Sequence, residues 1–398
     1  MEFLDLIESI SENDASGTRL YGGEGRRARG IRSAPNYATM LKEGVDLVTK
    51  VAQGNRHAAL VFEEAMSTSD FPLIFGDILD RQLLAAYREY PSSIEAIAKV
   101  STLRDFRQAK RFAIDGADGQ LDAVAELGEY PASAVTESKD VLTVTKFGRR
   151  LPFSWEDFIN DDLDAFRDAP ARLGRATRRT EQKSLTQLYV DANGPHASLY
   201  TTGNKNKVVT GNGAASSNPV LSVGGLQSGM TVLGNQVDAG GEPIYIEAVT
   251  LVVPPALEVT ANNILNGTEL WLTEAGGTSN QQLHVANWMR NRVKLVVDPY
   301  IPLVATSANG ATSWFLFANP SVTDRAALEF ARLRGHEEPE IWVKSPNAMR
   351  AGGGMVGPDQ GDFDDDSIQY RVRAVFGGAR LTSTGGGKLT VASNGSGS

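Results

Sequence analysis

The chain has 398 residues, enough for two or three domain-sized units, and its 41% hydrophobic and 22% charged residues fit a soluble folded protein. It has no cysteine, which excludes disulfides, thiolate metal sites and cysteine nucleophiles. A formal net charge of −9 argues against a broad nucleic-acid-gripping surface, and 40 glycines point to many turns and long loops.

Residues 1–70 read as an arm. The opening MEFLDLIESISEND is acidic and lacks a basic region followed by an apolar run, so no signal peptide is expected. No apolar stretch of the chain approaches the ~20 residues of a membrane span. A Gly-rich polar stretch follows with Arg19, Arg26, Arg27, Arg29 and Arg32, then two helical patterns near Tyr37–Val51 and Arg56–Met66. Their apolar stripes are short, so the arm is expected to bind something other than itself.

Within Phe71–Val100 a helix is expected to start at Asp77 as N-cap, with Ile78, Leu79, Leu83, Leu84 and Tyr87 at helical spacing and Pro91 as terminator. Over 112–155 the period changes. Val141–Phe147 reads as a strand, with Gln120–Leu127 as its expected partner and GEYPASAVTESKD as a polar tip. Such a hairpin carries few large apolar side chains and is marginal alone in water. Asp161–Asn193 is the strongest helix, with a second segment expected to start at Pro170. Its thin stripe of Leu173, Ala176, Leu185 and Leu188 beside Arg172, Arg175, Arg178, Arg179 and Lys183 predicts a helix lying on a surface.

Beyond a Gly/Asn/Ser loop at 198–219, Ile244–Val253 reads as a strand broken by Pro254-Pro255, and Ala256–Leu265 as a helix. Val293–Val297 and Trp314–Phe317 are strands, and Ala326–Arg334 a helix ending at Gly335. The tail holds Ile341–Val343, a Gly-rich loop and a final strand pair in which Ile368–Phe376 alternates, and the Gly/Ser-rich Thr384–Ser398 is expected to fray at its end.

Candidate chemistry is sparse. His57, His196, His284 and His336 are far apart, and each is expected to be an isolated surface or loop histidine rather than a zinc ligand. Gly352–Gly357 opens no helix, and in Thr384–Leu389 a leucine stands where a P-loop needs Ser or Thr, so both read as flexible loops. Asp362, Asp364, Asp365 and Asp366 lack the spacing of an EF-hand and read as a solvated acidic turn. Gly225–Gly229 puts Ser228 one place too late for a nucleophile elbow. The basic stretch at 19–32 has only Tyr21 to stack on a base, so salt bridges to acidic neighbours suit it better than nucleic acid. The basic face at 172–183 allows both readings.

The order of these pieces resembles the major head subunits of Mu-like and related tailed phages, which carry the HK97-like capsid fold. Phe71-Pro72-Leu73-Ile74 with Leu83–Arg88 is similar to the segment leading into that family's hairpin. Glu126–Tyr130 followed by Thr145–Phe153 resembles the extended E-loop and its return. Ile159–Leu163 with the long helix looks like the entry to the spine helix, and Val253–Glu258 like the strand-to-helix turn of the axial domain. Trp314–Ala318 and Tyr370–Arg373 also fit, so the resemblance covers roughly residues 71–380.

The resemblance implies an α+β subunit of four parts. These are an N-terminal arm (1–70, joined by 71–111), an extended hairpin (112–156), a peripheral domain around the spine helix (157–215 and 337–398), and an axial domain (216–336). It implies a non-enzymatic major capsid protein with no cofactor, metal or catalytic residue. The protein would be assembled in the bacterial cytoplasm into the icosahedral shell of a virion. Implied partners are copies of the chain as pentamers and hexamers, packaged double-stranded DNA held non-specifically, and portal, scaffold and decoration proteins, with no membrane. Charge pattern and resemblance together mark Arg26, Arg27, Arg29, Glu129, Tyr130, Lys139, Arg149, Arg150, Arg175, Arg178 and Arg179 as expected inter-subunit contacts. Closed shells need repeated heterologous contacts, and hairpins that reach over neighbours supply them. An encapsulin-type cellular compartment shares the fold and is the first rival. A hydrolase lacks a surviving motif, and the long helix disfavours a jelly-roll coat.

Overall fold

The computed structural model describes residues 50, 57, 71–115, 123–124, 126, 136–154, 163–238, 241–246, 249–267, 269–273, 282–290, 292–320, 326–344, 347 and 363–397. The expected arm, with Arg26, Arg27 and Arg29, lies almost wholly outside them, as do Glu129 and Tyr130 of the hairpin tip and the loop Gly352–Gly357.

The elements are mixed, as an α+β fold requires. Helices α1 (Phe71–Glu89) and α2 (Ile94–Ile97) come first, then strands β1 (Lys99–Leu103), β2 (Ala109–Asp115), β3 (Thr136–Leu142) and β4 (Thr145–Ser154). Helix α3 (Leu163–Tyr189) leads to the short pair β5 (Val190–Asp191) and β6 (Gly194–Pro195). Next come α4 (Val223–Gly234), β7 (Val249–Val253), α5 (Glu258–Asn266), β8 (Glu269–Thr273), β9 (Gln282–Ala286) and β10 (Val293–Val297). The chain continues through α6 (Ile301–Val304), β11 (Trp314–Ala318), β12 (Leu328–Leu333), β13 (Glu340–Val343), β14 (Ser367–Arg380) and β15 (Thr390–Ser393). The chain divides into two compact units.

The first unit draws on Met1–Pro91, Lys146–Arg178 and Leu333–Val375. Its small core joins Leu83 and Leu84 of α1 to Leu173 of α3 and Val372 of β14, with Ile341 of β13 against them. The helices meet closely at Gly174, where an added Cβ would stand 2.4 Å from the Leu83 carbonyl oxygen, so only glycine fits. Strand β13 runs antiparallel to β14 with Glu340 opposite Arg373 and Trp342 opposite Arg371.

The second unit draws on Ser92–Thr145, Arg179–Arg332 and Phe376–Ser398. Its centre is a four-stranded sheet in the order β10-β7-β11-β15. β10 is parallel to β7, and β11 is antiparallel to both β7 and β15. Every residue of β7, β11 and β15 is buried, as continuous apolar runs in a sheet covered on both faces require. Helices α4 and α5 supply Leu226, Val232, Leu233, Ala261, Ile264 and Leu265 to this core. Ser222 caps α4 by accepting from the Gly225 amide at 3.0 Å. Gly229 lets α4 lie on Trp314, since a Cβ there would come within 2.7 Å of the indole ring.

Several expectations need correcting. α1 starts six residues before Asp77, which lies inside the helix rather than capping it. α3 runs unbroken through Pro170. Its inner face is far wider than the predicted stripe, because Thr177, Glu181, Gln182 and Thr186 are buried with Leu173, Leu185 and Tyr189. Ala326–Arg334 is not a helix. Leu328–Leu333 forms β12 between β1 and β14, where ladder pairing on both edges outweighs a helical apolar spacing. Among the described residues of the expected strand Ile244–Val253, Val249–Val253 forms the strand, and the Ile244 amide donates to the Gln236 carbonyl at 3.0 Å. The end of the tail, expected to fray, is paired as far as Gly397, the last described residue. Thr390-Val391-Ala392-Ser393 is the buried edge strand beside β11, and the Gly397 backbone donates to the Asn218 carbonyl at 2.7 Å.

Candidate functional site

The most distinctive surface is the β2–β3 hairpin. Its register sets Ala109 opposite Leu142, Arg111 opposite Asp140 and Phe112 opposite Lys139. The partner of the 136–142 strand is therefore Ala109–Asp115, and the expected partner Gln120–Leu127 lies mostly outside the described residues. The run Val141–Phe147 is also split at Thr143-Val144, where Val144 turns inward to burial and β4 begins.

Side chains directly opposite on a strand pair share a face. Arg111 and Asp140 occupy the face turned toward their own unit. The Arg111 guanidinium grips the Glu329 carboxylate of β12 in a fork, with Nε at 3.0 and 2.9 Å from its two oxygens and an Nη at 2.6 Å. Glu329 is buried, and its hydrogen bond pushes the Arg111 guanidinium above its ordinary pKa against the effect of partial burial. Asp140 accepts from the Ser383 amide at 3.2 Å, the Thr384 amide at 2.9 Å and the Thr384 hydroxyl at 2.8 Å. The opposite face of the hairpin is bare. Phe112 is 64% exposed and Val141 43% exposed, beside exposed Lys110 and Lys139. The base of the hairpin is thus clamped on one side and presents an apolar–cationic strip on the other.

The remaining predicted contact residues are dispersed. Arg149 and Arg150 on β4 and Arg179 on α3 are exposed, and Arg175 is half-buried. Arg178 works inside its own unit, where it donates to the Tyr87 hydroxyl at 3.0 Å and stacks over that ring. Sequence reasoning missed Arg111, Glu329 and Asp140, because their partners are 218 and about 244 positions away in the chain.

Polar clusters elsewhere serve the fold. Asp298 is fully buried and accepts from Thr186 Oγ1 at 2.6 Å, from the Tyr189 hydroxyl and from the Tyr300 amide at 2.9 Å. Tyr189 stands edge-on to Phe315 and Phe317. Burial, and then the Asp298 charge, push the Tyr189 hydroxyl well above its ordinary pKa, and burial does the same to Tyr200. Both tyrosines stay protonated in the folded chain when the unfolded chain ionises near pH ~10. Their stabilisation is complete below that pH and falls as pH rises above it, by about 1.4 kcal/mol per pH unit for each tyrosine. Urea midpoints of dissociated subunits should therefore fall steeply above pH ~10, and Tyr189→Phe should remove about half of that slope.

His336, expected to be isolated, instead bonds Glu340 across the turn that returns the chain into β13. Burial alone would push the Glu340 carboxyl up, but bonds from His336 and Arg373 outweigh it and hold the group below the usual carboxylate range. The segment Thr384–Leu389 is not a flexible loop. Gly386 and Gly387 are buried, and Lys388 Nζ donates to the Val237 and Asp238 carbonyls at 2.7 and 3.1 Å. The acidic turn caps itself, with Asp365 accepting from the Ser367 hydroxyl at 2.8 Å. Among the described residues no group of three or more His, Cys, Asp or Glu side chains could hold a metal ion, and no helix is long and apolar enough to cross a membrane.

No curated protein matches the sequence. Among solved structures, a cyanophage Pam1 capsid chain is 10% identical, with a TM-score of 0.47 over 77% of this chain and 90% of that one. A Gordonia phage Cozz chain is 12% identical, with a TM-score of 0.42 over 76% and 85%. A virus-like particle chain from Pyrococcus furiosus is 11% identical, with a TM-score of 0.42 over 80% and 98%. Likenesses this distant assign no function. A family model described as phage capsid protein matches residues 137–387, which takes in nearly all of β3, the clamp partners Asp140, Glu329, Ser383 and Thr384, most of the second unit and the parts of the first from Lys146 onward. That match covers well over half of the 398 residues, and the chain belongs to the phage capsid protein family as a shell-forming capsid subunit.

Proposed function

We propose that this chain is the HK97-like major head subunit of a tailed phage, close to the Mu-like group. It closes as pentamers and hexamers into an icosahedral shell around double-stranded DNA. Its parts are the arm (1–70), the hairpin, a peripheral domain around α3 and an axial domain around the four-stranded sheet. The shell is assembled in the host cytoplasm, meets portal, scaffold and decoration proteins, and catalyses nothing. Family membership supports the phage reading over an encapsulin-type compartment.

The observation that carries the assembly reading is the two-faced hairpin. One face is tied to its own body by Arg111 and Asp140, and the other offers Phe112 and Val141 to solvent. An exposed phenylalanine on a rigid strand pair is an interaction surface in waiting. Together with the tip beyond it, that face lies over an adjacent copy, where Lys139 meets acidic side chains.

Replacing residues 116–135 with an Asn-Gly turn would join β2 directly to β3 in a two-residue loop. The subunit should keep its circular dichroism and melting temperature yet form no closed particles by electron microscopy. Particles formed at the concentration the intact chain requires would overturn the role of the hairpin.

A further inference from the structure

We propose that the end of the four-stranded sheet where β7 and β10 finish is a second contact between copies of this chain. The inference rests on the shell reading above and adds to the hairpin a surface on a different element. β7 and β10 are parallel neighbours, with Val253 opposite Val297, so the segments following them leave the sheet at one end. They are held together there by the Asp298 amide, which donates to the Val253 carbonyl at 2.9 Å. One segment presents Pro255, Ala256 and Val259, and the other Pro302 and Leu303, all of them exposed. Val259 is 70% and Leu303 67% exposed.

Neither side chain has room to turn inward. The inner face of α5 is already filled by Ala261, Ile264 and Leu265, and that of α6 by Ile301, all buried. β11 begins and β15 ends at this same end, with Trp314 opposite Ser393. Across residues 254–260, 298–313 and 394–397 the only charged side chains are Glu258 and Asp298, and Asp298 is buried. A stretch so poor in charge is unusual in a chain with 22% charged residues.

That neutrality selects the occupant. Nucleic acid would require cations, and these segments have none. A partner of opposite charge would require acids, and only Glu258 is available. Identical copies each carrying −9 repel wherever charged surface faces charged surface. They meet at lowest cost through an apolar, nearly uncharged patch, which is also the composition of interface cores.

The absence of native cysteine allows a direct test, since Leu303→Cys introduces a unique thiol. Maleimide should label that thiol at least about tenfold more slowly in closed shells than in free subunits, as expected for a side chain covered by a neighbouring copy. Equal rates would overturn the proposal, as would protection that appears only when a different structural protein is added. The pair Val259→Asp with Leu303→Asp should fold with unchanged circular dichroism and fail to close shells, and shells at the wild-type threshold would also count against it. If the pair misfolds, the labelling result still decides. Closed shells of the Leu303→Cys chain with an unprotected thiol would remove this contact alone, whereas a wild-type chain that never assembles would remove the shell reading itself.

Discussion

Replacing Asp298 with alanine is expected to destabilise the subunit by about 3–5 kcal/mol, because the change removes one buried acceptor that serves three donors. The Tyr189 hydroxyl and the Tyr300 amide lose the carboxylate they donate to, and Thr186 keeps its bond to the Gln182 carbonyl. These groups fasten the last turn of α3 against the sheet, where Tyr189 meets Phe315 edge-on with ring centroids 5.0 Å apart. Asp298→Asn keeps the shape and one acceptor oxygen, so it should lose about half as much. Urea unfolding of dissociated subunits measures both. An alanine variant within about 1 kcal/mol of wild type would mean that the network does not hold the helix end.

The second large effect concerns assembly. Asp140→Ala removes the acceptor that holds the amides of Ser383 and Thr384 and should cost about 2–3 kcal/mol. Glu329→Ala releases Arg111, which is partly exposed and can turn to water, so its cost should be smaller, about 1–2 kcal/mol. The two substitutions together should leave a folded subunit whose hairpin base has lost both fastenings. Hydrogen exchange should then rise across 109–115 and 136–142 while the sheet core stays protected. Yield of closed particles should drop by an order of magnitude or more, since a hairpin free to swing presents Phe112 and Val141 in no fixed direction. Unchanged particle yield with raised exchange would show that assembly does not use a fixed hairpin.

What could be read in advance follows physical lines. The continuous apolar strand Trp314–Ala318 announced itself, because sheets covered on both faces need such runs, and Val293–Val297 was legible from its valines although Lys294 is exposed. The turn after β7 was marked by Pro254-Pro255, and α5 follows it. The body of α1 was clear from Leu83, Leu84 and Tyr87, all buried, although propensity placed its start too late. α3 was mistaken for a surface helix because its inner face carries Thr177, Glu181, Gln182 and Thr186. Those residues read as solvent-facing until their distant partners are known, such as Ser93 for Gln182 and Arg332 for Glu181. β12 imitates a helix because three-four spacing and dense apolar content coincide in LEFARL, and its two strand neighbours decide the outcome. β15 was hidden by the glycines on either side of it.

The same logic governs the candidate surfaces. A lone Phe112 or Leu303 in the sequence carries no sign of exposure, since either could have filled a core. The fold exposes them: register turns Phe112 away from the Arg111–Asp140 face, and α6 directs Ile301 inward and leaves Leu303 outside. The sequence nevertheless pointed to the hairpin as a segment unable to stabilise itself. The clamp at its base resolves half of that problem within the subunit, and the proposed contact with a neighbouring copy would resolve the other half.

The central claim is that this chain builds a closed container from copies of itself. Sedimentation velocity of the purified chain across a concentration series, with electron microscopy of the fast-moving fraction, tests it most directly. The account predicts a threshold above which subunits, pentamers or hexamers convert to particles of uniform diameter. A single slow species at every concentration, with no particles on the grid under any salt condition or after addition of a scaffold protein, would contradict it.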